Sequence, residues 1–322
     1  MEFFRKQTHI DFMGVRRYTG IILIVLWVAS IGVLIFKGLN LGLDFAGGTQ
    51  VEARFTKETS PVMIREQLEQ AGFQGVKTQQ FGSTHDILIR IGNSHHIAFD
   101  ETAADETAES QKEFKISALV KEALLKNYPD IEIRRTEFVG SGVGDQLVEQ
   151  GGIAVLVSIL AIMIYIALRF EYRLAVSAAV GLIHDAFLIL GVFAWYGFEF
   201  DLAAMASVLA VLGYSLNDTI VVFDRVRENF RKIRKGTPAE IMNLSINQTL
   251  SRTIMTSFMT LLVVLALLFY GGESLFGFSM AFFVGIIIGT FSSIYVSGAL
   301  ALWMGLSKAD LMPKAKPELE RP

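Results

Sequence analysis

The 322-residue chain contains no cysteine, so disulfides contribute nothing and cysteine usage says nothing about compartment. It carries no Walker-type glycine-lysine loop, which argues against ATP hydrolysis by this chain. Two short loops, 196–201 and 271–277, lack Lys and Arg altogether and hold only Glu199, Asp201 and Glu273. The first apolar run is too long for a secretory signal, and Phe36-Lys-Gly-Leu-Asn lacks a small-x-small cleavage site. That run reads as a signal anchor. The formal net charge of −3 excludes little, because the charges are segregated along the chain.

What the chain has in quantity is apolar sequence, with 52% hydrophobic residues against 19% charged. It falls into blocks at 18–36, 151–168, 174–195, 202–223, 253–270 and 278–304. Each is about 18 residues or longer, enough to cross a hydrocarbon core as a helix. Basic residues gather in the N-terminal segment 1–17, in Arg169–Arg173, in the loop 224–252 and in the tail 305–322. The positive-inside rule then places both termini and the basic loops in the cytoplasm. In the loop 224–252, aromatic residues are sparse and topology already explains the charge, so nucleic acid is not expected as a partner. Thr237-Pro238-Ala-Glu240 is a capping box that should open a helix lying along the membrane surface or against the bundle.

One large soluble segment, 37–150, falls on the far side. Thr49–Phe55 alternates as a strand, Ser60-Pro61 opens a helix closed by Gly72, and Val76–Phe81 and His85–Ile91 are strands joined through Gly82-Ser83. Lys112–Asn127 reads as a helix and Ile131–Val139 as a last strand. The order β-α-β-β-α-β is that of a ferredoxin-like split unit. The expected fold class is therefore an α-helical polytopic membrane protein of six transmembrane helices, with one α+β ferredoxin-like domain between helices 1 and 2. The stretch 93–110, with five acidic residues and no basic ones, reads as a solvated, mobile insert. Its His95-His96 pair lacks further placed ligands, so no metal is expected. Gly140-Ser-Gly142-Val-Gly144-Asp145 lacks dinucleotide-loop spacing. It also cannot join Asp218 in paired-acid proteolysis, because the two lie towards opposite membrane faces. It reads as a glycine-rich hinge.

The polar residues inside the apolar blocks carry more information. Asp218 falls about a turn and a half inside the fourth block, where an ionisable group costs a few kcal/mol at the lowest estimates. Tyr214, Asn217 and Asp218 stand at i, i+3 and i+4 and should share a helix face, with Ser207 and Gly213 near it. Arg252, Thr253, Thr256, Ser257 and Thr260 form a second stripe, and Arg252 enters from the side on which Asp218 lies. A guanidinium on its long stem can reach such a carboxylate. His184-Asp185 stand near the middle of the third block. They suit a proton relay and an interhelical hydrogen-bond pair about equally. Gly285, Gly289, Ser292, Ser293 and Ser297 suit close helix packing.

Leu43-Asp44-Phe45-Ala46-Gly47-Gly48-Thr49 resembles the L/I-D-F-x-G-G-T signature of the SecD/SecF protein-export family, related to the RND transporters. So do His184-Asp185, the stretch Gly213-Tyr-Ser-Leu-Asn-Asp218-Thr-Ile-Val-Val-Phe-Asp224-Arg225, and Arg252-Thr-Ile-Met-Thr-Ser257. Six spans and one modest soluble domain match the family's SecF members, although Ser141 stands where a proline is expected. The resemblance implies a non-enzymatic subunit that pairs with SecD beside the SecYEG channel, often with YajC. It would use protons, and no cofactor, to help pull exported polypeptide across the inner, cytoplasmic membrane after ATP-driven SecA has acted. Asp218 would carry the proton and Arg252 would be its switchable counter-ion. Asp44, Gly47 and Gly48 build a turn into the first strand, with the glycines supplying positive-φ freedom. Two other classes stay open: an RND-like proton-driven exporter of small molecules or lipids, and a structural assembly factor with a periplasmic binding domain.

Overall fold

The computed structural model describes residues 8–81, 83–92, 116, 118–233 and 235–311. The acidic insert, His95-His96 and the end of the C-terminal tail lie outside these. Six helices are long and apolar enough to cross a membrane: Arg16–Phe36, Gly142–Arg169, Tyr172–Tyr196, Leu202–Lys232, Pro238–Tyr270 and Phe276–Trp303. The first is α1, and the second is the body of α5 (Ser141–Arg169). The third to fifth are α6 (Tyr172–Tyr196), α7 (Leu202–Lys232) and α8 (Pro238–Tyr270). The sixth runs as α9 (Phe276–Ser292), a π-helical turn Ser293–Gly298 and α10 (Ala299–Trp303), before a short α11 (Lys308–Leu311).

Helix α7 sits at the centre and packs against α6, α8 and α9. The α7–α9 crossing is close because glycines face it. A Cβ on Gly285 would come within 2.4 Å of Val211, and one on Gly289 within 2.9 Å of Ser215. Gly181 of α6 likewise leaves room for Ser297 of the π-turn, whose hydroxyl would lie 2.4 Å from a Cβ there. Without a hydrophobic driving force between helices in lipid, such backbone approach is how helices gain contact. By contrast, α1 buries none of its residues.

One expectation changes. The Gly140–Asp145 stretch is no hinge: Gly140 caps α5, which runs unbroken from Ser141. Gly144 is small because a Cβ there would sit 3.1 Å from the carbonyl of Phe45. The helix opened by the Thr237–Glu240 capping box takes the second of its two expected placements, against the bundle. It continues straight into the fifth span as α8, with Ile241 and Leu250 in the bundle core. Nothing between 238 and 270 breaks a helix, so one rod satisfies the backbone where two would leave extra unpaired ends.

Outside the bundle stand β2 (Gly48–Arg54), α3 (Pro61–Gln70), β3 (Lys77–Phe81), β4 (Ser83–Ile91), α4 (118–125) and β5 (Glu132–Val139). The strands form one antiparallel sheet in the order β3-β4-β2-β5. Val51, Ala53, Ile87 and Ile89 face Ile64 and Leu68 of α3 and Val120 and Leu124 of α4. Both helices thus cover one face and leave the other open. Before the sheet, β1 (Asn40–Leu41) pairs in parallel with β6 (Glu199–Phe200), stitching the domain's base to the loop between the third and fourth spans. The segment Leu43–Ala46 closes one helical turn, α2, and Gly47 and Gly48 then take φ of 64° and 122°. A Cβ on Gly48 would lie 2.4 Å from the carbonyl of Ile91, so the position needs glycine twice over.

On the sheet, Arg54 and Asp86 are cross-strand partners, joined by two hydrogen bonds of 2.7 and 2.8 Å. The guanidinium, helped by the Ser83 hydroxyl, holds the Asp86 carboxyl down to about 2. Its stabilising contribution is complete above the ordinary carboxylate value near 3.8 and is lost as pH falls towards 2. Asp86→Asn is expected to destabilise the domain at neutral pH by roughly 1–3 kcal/mol. Hydrogen exchange of the β2 and β4 amides reads this; unchanged protection would show the pair to be dispensable.

Candidate functional site

The site is built on three buried stretches of α6, α7 and α8. Asp218 of α7 is only 3% exposed, and its Oδ2 has no hydrogen-bond partner among the described residues. Arg252 and Ser257 are the α8 residues electrostatically linked to this carboxylate. No ion pair within 4.0 Å joins Arg252 to Asp218. The Arg252 side chain is exposed at the end of the stripe, whereas Thr253 and Ser257 are buried. Thr253 Oγ1, like Asp218 Oδ2, is buried without a partner. Ser257 shares a 3.0 Å hydrogen bond with Thr290 of α9.

The α8 stripe therefore divides. Thr253 and Ser257 face inward with hydroxyls available to the α7 carboxylate. Thr256 donates to the carbonyls of Arg252 and Thr253, both at 3.0 Å, and Thr260 donates to that of Thr256. Those two hydroxyls are absorbed by their own helix, as threonines in membrane helices often are. On α7 the expected common face also divides. Tyr214 is half-buried, its ring edge-on to Phe282 at 6.2 Å and its hydroxyl without a partner among the described residues. Asn217 instead points outward and is exposed, as is Gly213. Ser207 belongs elsewhere, donating to the Phe278 carbonyl at 2.7 Å.

A second polar cluster lies one turn up α7. Asp185 is fully buried; its Oδ1 lies 3.2 Å from His184 Nδ1, and its Oδ2 accepts from the Ser215 hydroxyl at 2.6 Å. His184 Nε2 is buried with no partner among the described residues. Ser215 was missed by sequence reasoning, although its i−3 spacing from Asp218 is the signal that places it on the buried face. Asp44, far from this cluster, accepts the backbone N–H of Leu202 at 3.0 Å and so caps the start of α7.

Comparison with known proteins decides the family. Residues 119–307 match the family described as protein export membrane protein SecD/SecF, C-terminal, and residues 32–59 match the SecD/SecF GG motif. The chain belongs to the SecD/SecF protein-export family, on its SecF side. It is 45% identical to the protein translocase subunit SecF of Vibrio alginolyticus, over 98% of this chain and 96% of that protein. The SecF of Pseudomonas aeruginosa is 42% identical over 94% of each. Among solved structures, a Thermus SecDF superposes with a TM-score of 0.78 at 34% identity, covering 92% of this chain and 39% of that one. The chain thus spans well under half of that SecDF polypeptide. Membership of the family gives it a role in Sec protein translocation, as a multi-pass membrane protein.

Within this family frame, Ser215→Ala would leave Asp185 Oδ2 unsatisfied inside the bundle. The expected loss is roughly 1–3 kcal/mol, read as a lower thermal midpoint in detergent. An unchanged midpoint would mean that the Asp185 cluster carries no structural weight.

Proposed function

We propose that this chain converts the proton gradient into work on exported polypeptide, with Asp218 as the proton carrier. The single observation that carries this reading is a buried carboxylate with one oxygen unpartnered and no cation in contact among the described residues. When Asp218 is protonated, it is neutral and can hydrogen-bond to Thr253 or Ser257 without further help. When it is ionised, a buried charge without compensation is expensive, and the free guanidinium of Arg252 is the group able to reach it. Loss and gain of the proton thus favour two positions of α8 against α7. Because α8 is one continuous rod from Pro238, such a shift is felt at its cytoplasmic end as well as in the membrane.

The magnitudes suffice. One charge moved through ~150 mV releases roughly 3.5 kcal/mol, a shift of a few hundred-fold between two states. Family resemblance supplies the setting: a SecD partner completing the bundle beside the SecYEG channel in the inner membrane, with YajC, and with SecA acting before the proton-driven stage. The SecD assignment is supported by the likeness to SecDF and by Asn217, a polar side chain exposed at membrane depth that a neighbouring subunit would cover. In this reading the chain catalyses no covalent chemistry, takes no cofactor and has both termini in the cytoplasm.

The test is gradient-dependent translocation of a secreted polypeptide into membrane vesicles, comparing wild type with Asp218→Asn at matched subunit levels. The expected result is loss of the gradient-dependent component, with ATP-driven initiation intact. Unchanged translocation would remove Asp218 from the coupling machinery and favour a purely structural subunit.

A further inference from the structure

The face of the sheet opposite α3 and α4 is not packed on anything solid. It roofs a cavity of about 500 Å³ whose floor is the outer mouth of the bundle, formed by the loop at Glu199–Asp201 and the starts of α7 and α9. Strand alternation puts Gln50, Glu52, Gln79, Leu88 and Glu137 on this face, while Val51 and Ala53 go to the helix-covered core. We propose that this cavity is a docking site for an extended, basic stretch of polypeptide. The proposal rests on the export reading above for its cargo, and adds where the cargo touches this chain and which charge it carries.

Charge is the first argument. Of the carboxylates around the cavity, Glu199 is paired with Arg90 and Glu137 with Arg135. Glu52 has neither hydrogen bond nor ion pair among the described residues. Asp44 and Asp201 accept only backbone N–H groups, from Leu202 and Ala204, and no cation. Five carboxylates, Asp44, Glu52, Glu137, Glu199 and Asp201, thus line the cavity against one guanidinium, that of Arg135 across the sheet from Glu52, so Lys or Arg is favoured there and Asp or Glu repelled.

The lining supplies the rest. The amides of Gln50, Gln79 and Gln80 both donate and accept, as is needed by a backbone without secondary structure of its own. Leu88, Phe198 and Phe276 offer apolar wall along which the stem of a lysine or arginine can lie. Four strands at ~4.8 Å spacing make a roof about 15 Å wide, which some four or five extended residues would cross. Side chains tie the roof to the floor at Arg90, with Glu199 and the Leu41 carbonyl, and at Lys77, with Asn40; in the proposal these contacts give way to admit a chain.

The experiment places a photoreactive benzophenone amino acid at Gln79, inside the cavity, or at Gln70, on α3 away from it. Each is made in the full-length chain in its native membrane complex. The probe is a secreted polypeptide halted part-way, carrying either four lysines or four glutamates in an extended stretch. The expected result is crosslinking from position 79 several-fold stronger to the lysine version, with little from position 70. Glu52→Lys should erase that preference and Glu52→Gln should weaken it. Equal yields for the two versions, or adducts only to lipid or to a neighbouring subunit, would overturn the proposal. Gradient-dependent translocation is followed in the same vesicles. If it persists while the crosslinks show no preference, this docking site falls and the export reading stands.

Discussion

Everything in the bundle is arranged around one constraint: a carboxylate kept out of water must be neutral or paired. At Asp218 the protein meets it in neither permanent way. The oxygen Oδ2 is left open, hydroxyls of α8 stand near, and the Arg252 guanidinium is exposed at the end of the polar stripe, midway along that helix. An ion pair sealed within the bundle would gain stability only by losing the ability to switch, because breaking it would strand a charge. The open arrangement is instead a group whose best partner depends on its own protonation.

The second carboxylate makes the contrast plain. Asp185 has both oxygens engaged, one beside His184 and the other taking the Ser215 hydroxyl. That is the pattern of a fastened node between α6 and α7, set in place by Gly289 giving Ser215 room against α9. In the proposed cycle, a fixed node one turn from an open one would let α8 shift while α6, α7 and α9 hold their packing. The soluble domain is coupled to this frame at its base, through the β1–β6 pairing and the Asp44 cap on α7. A shift in the bundle therefore has a direct covalent and hydrogen-bonded route to the sheet.

Much of this was legible in the sequence, and for simple physical reasons. Apolar block length marks spans because lipid tolerates no unsatisfied backbone. Asp218 stood out because a carboxylate is rare where it lies. Asn217 is exposed while Asp218 is buried, because i+3 and i+4 spacing defines a face about a helix axis but not which neighbour that face meets. Thr256 resembled Thr253 for the same reason, and only the folded helix shows its hydroxyl turned back on the backbone. The stretch Gly140–Asp145 reads as a hinge by composition, yet Gly144 serves a close approach to Phe45, a contact made across about a hundred residues of chain. The capping role of Asp44 is likewise long-range, joining positions 158 residues apart, and no local pattern announces it.

The claim on which this account turns is that Asp218 changes protonation as the complex works. Infrared difference spectroscopy of the reconstituted complex, recorded with and without an imposed proton gradient, tests it directly. A protonated-carboxyl band that appears with the gradient in wild type and vanishes in Asp218→Asn is the predicted result. The same band persisting in Asp218→Asn, or no carboxyl band in wild type, would contradict it.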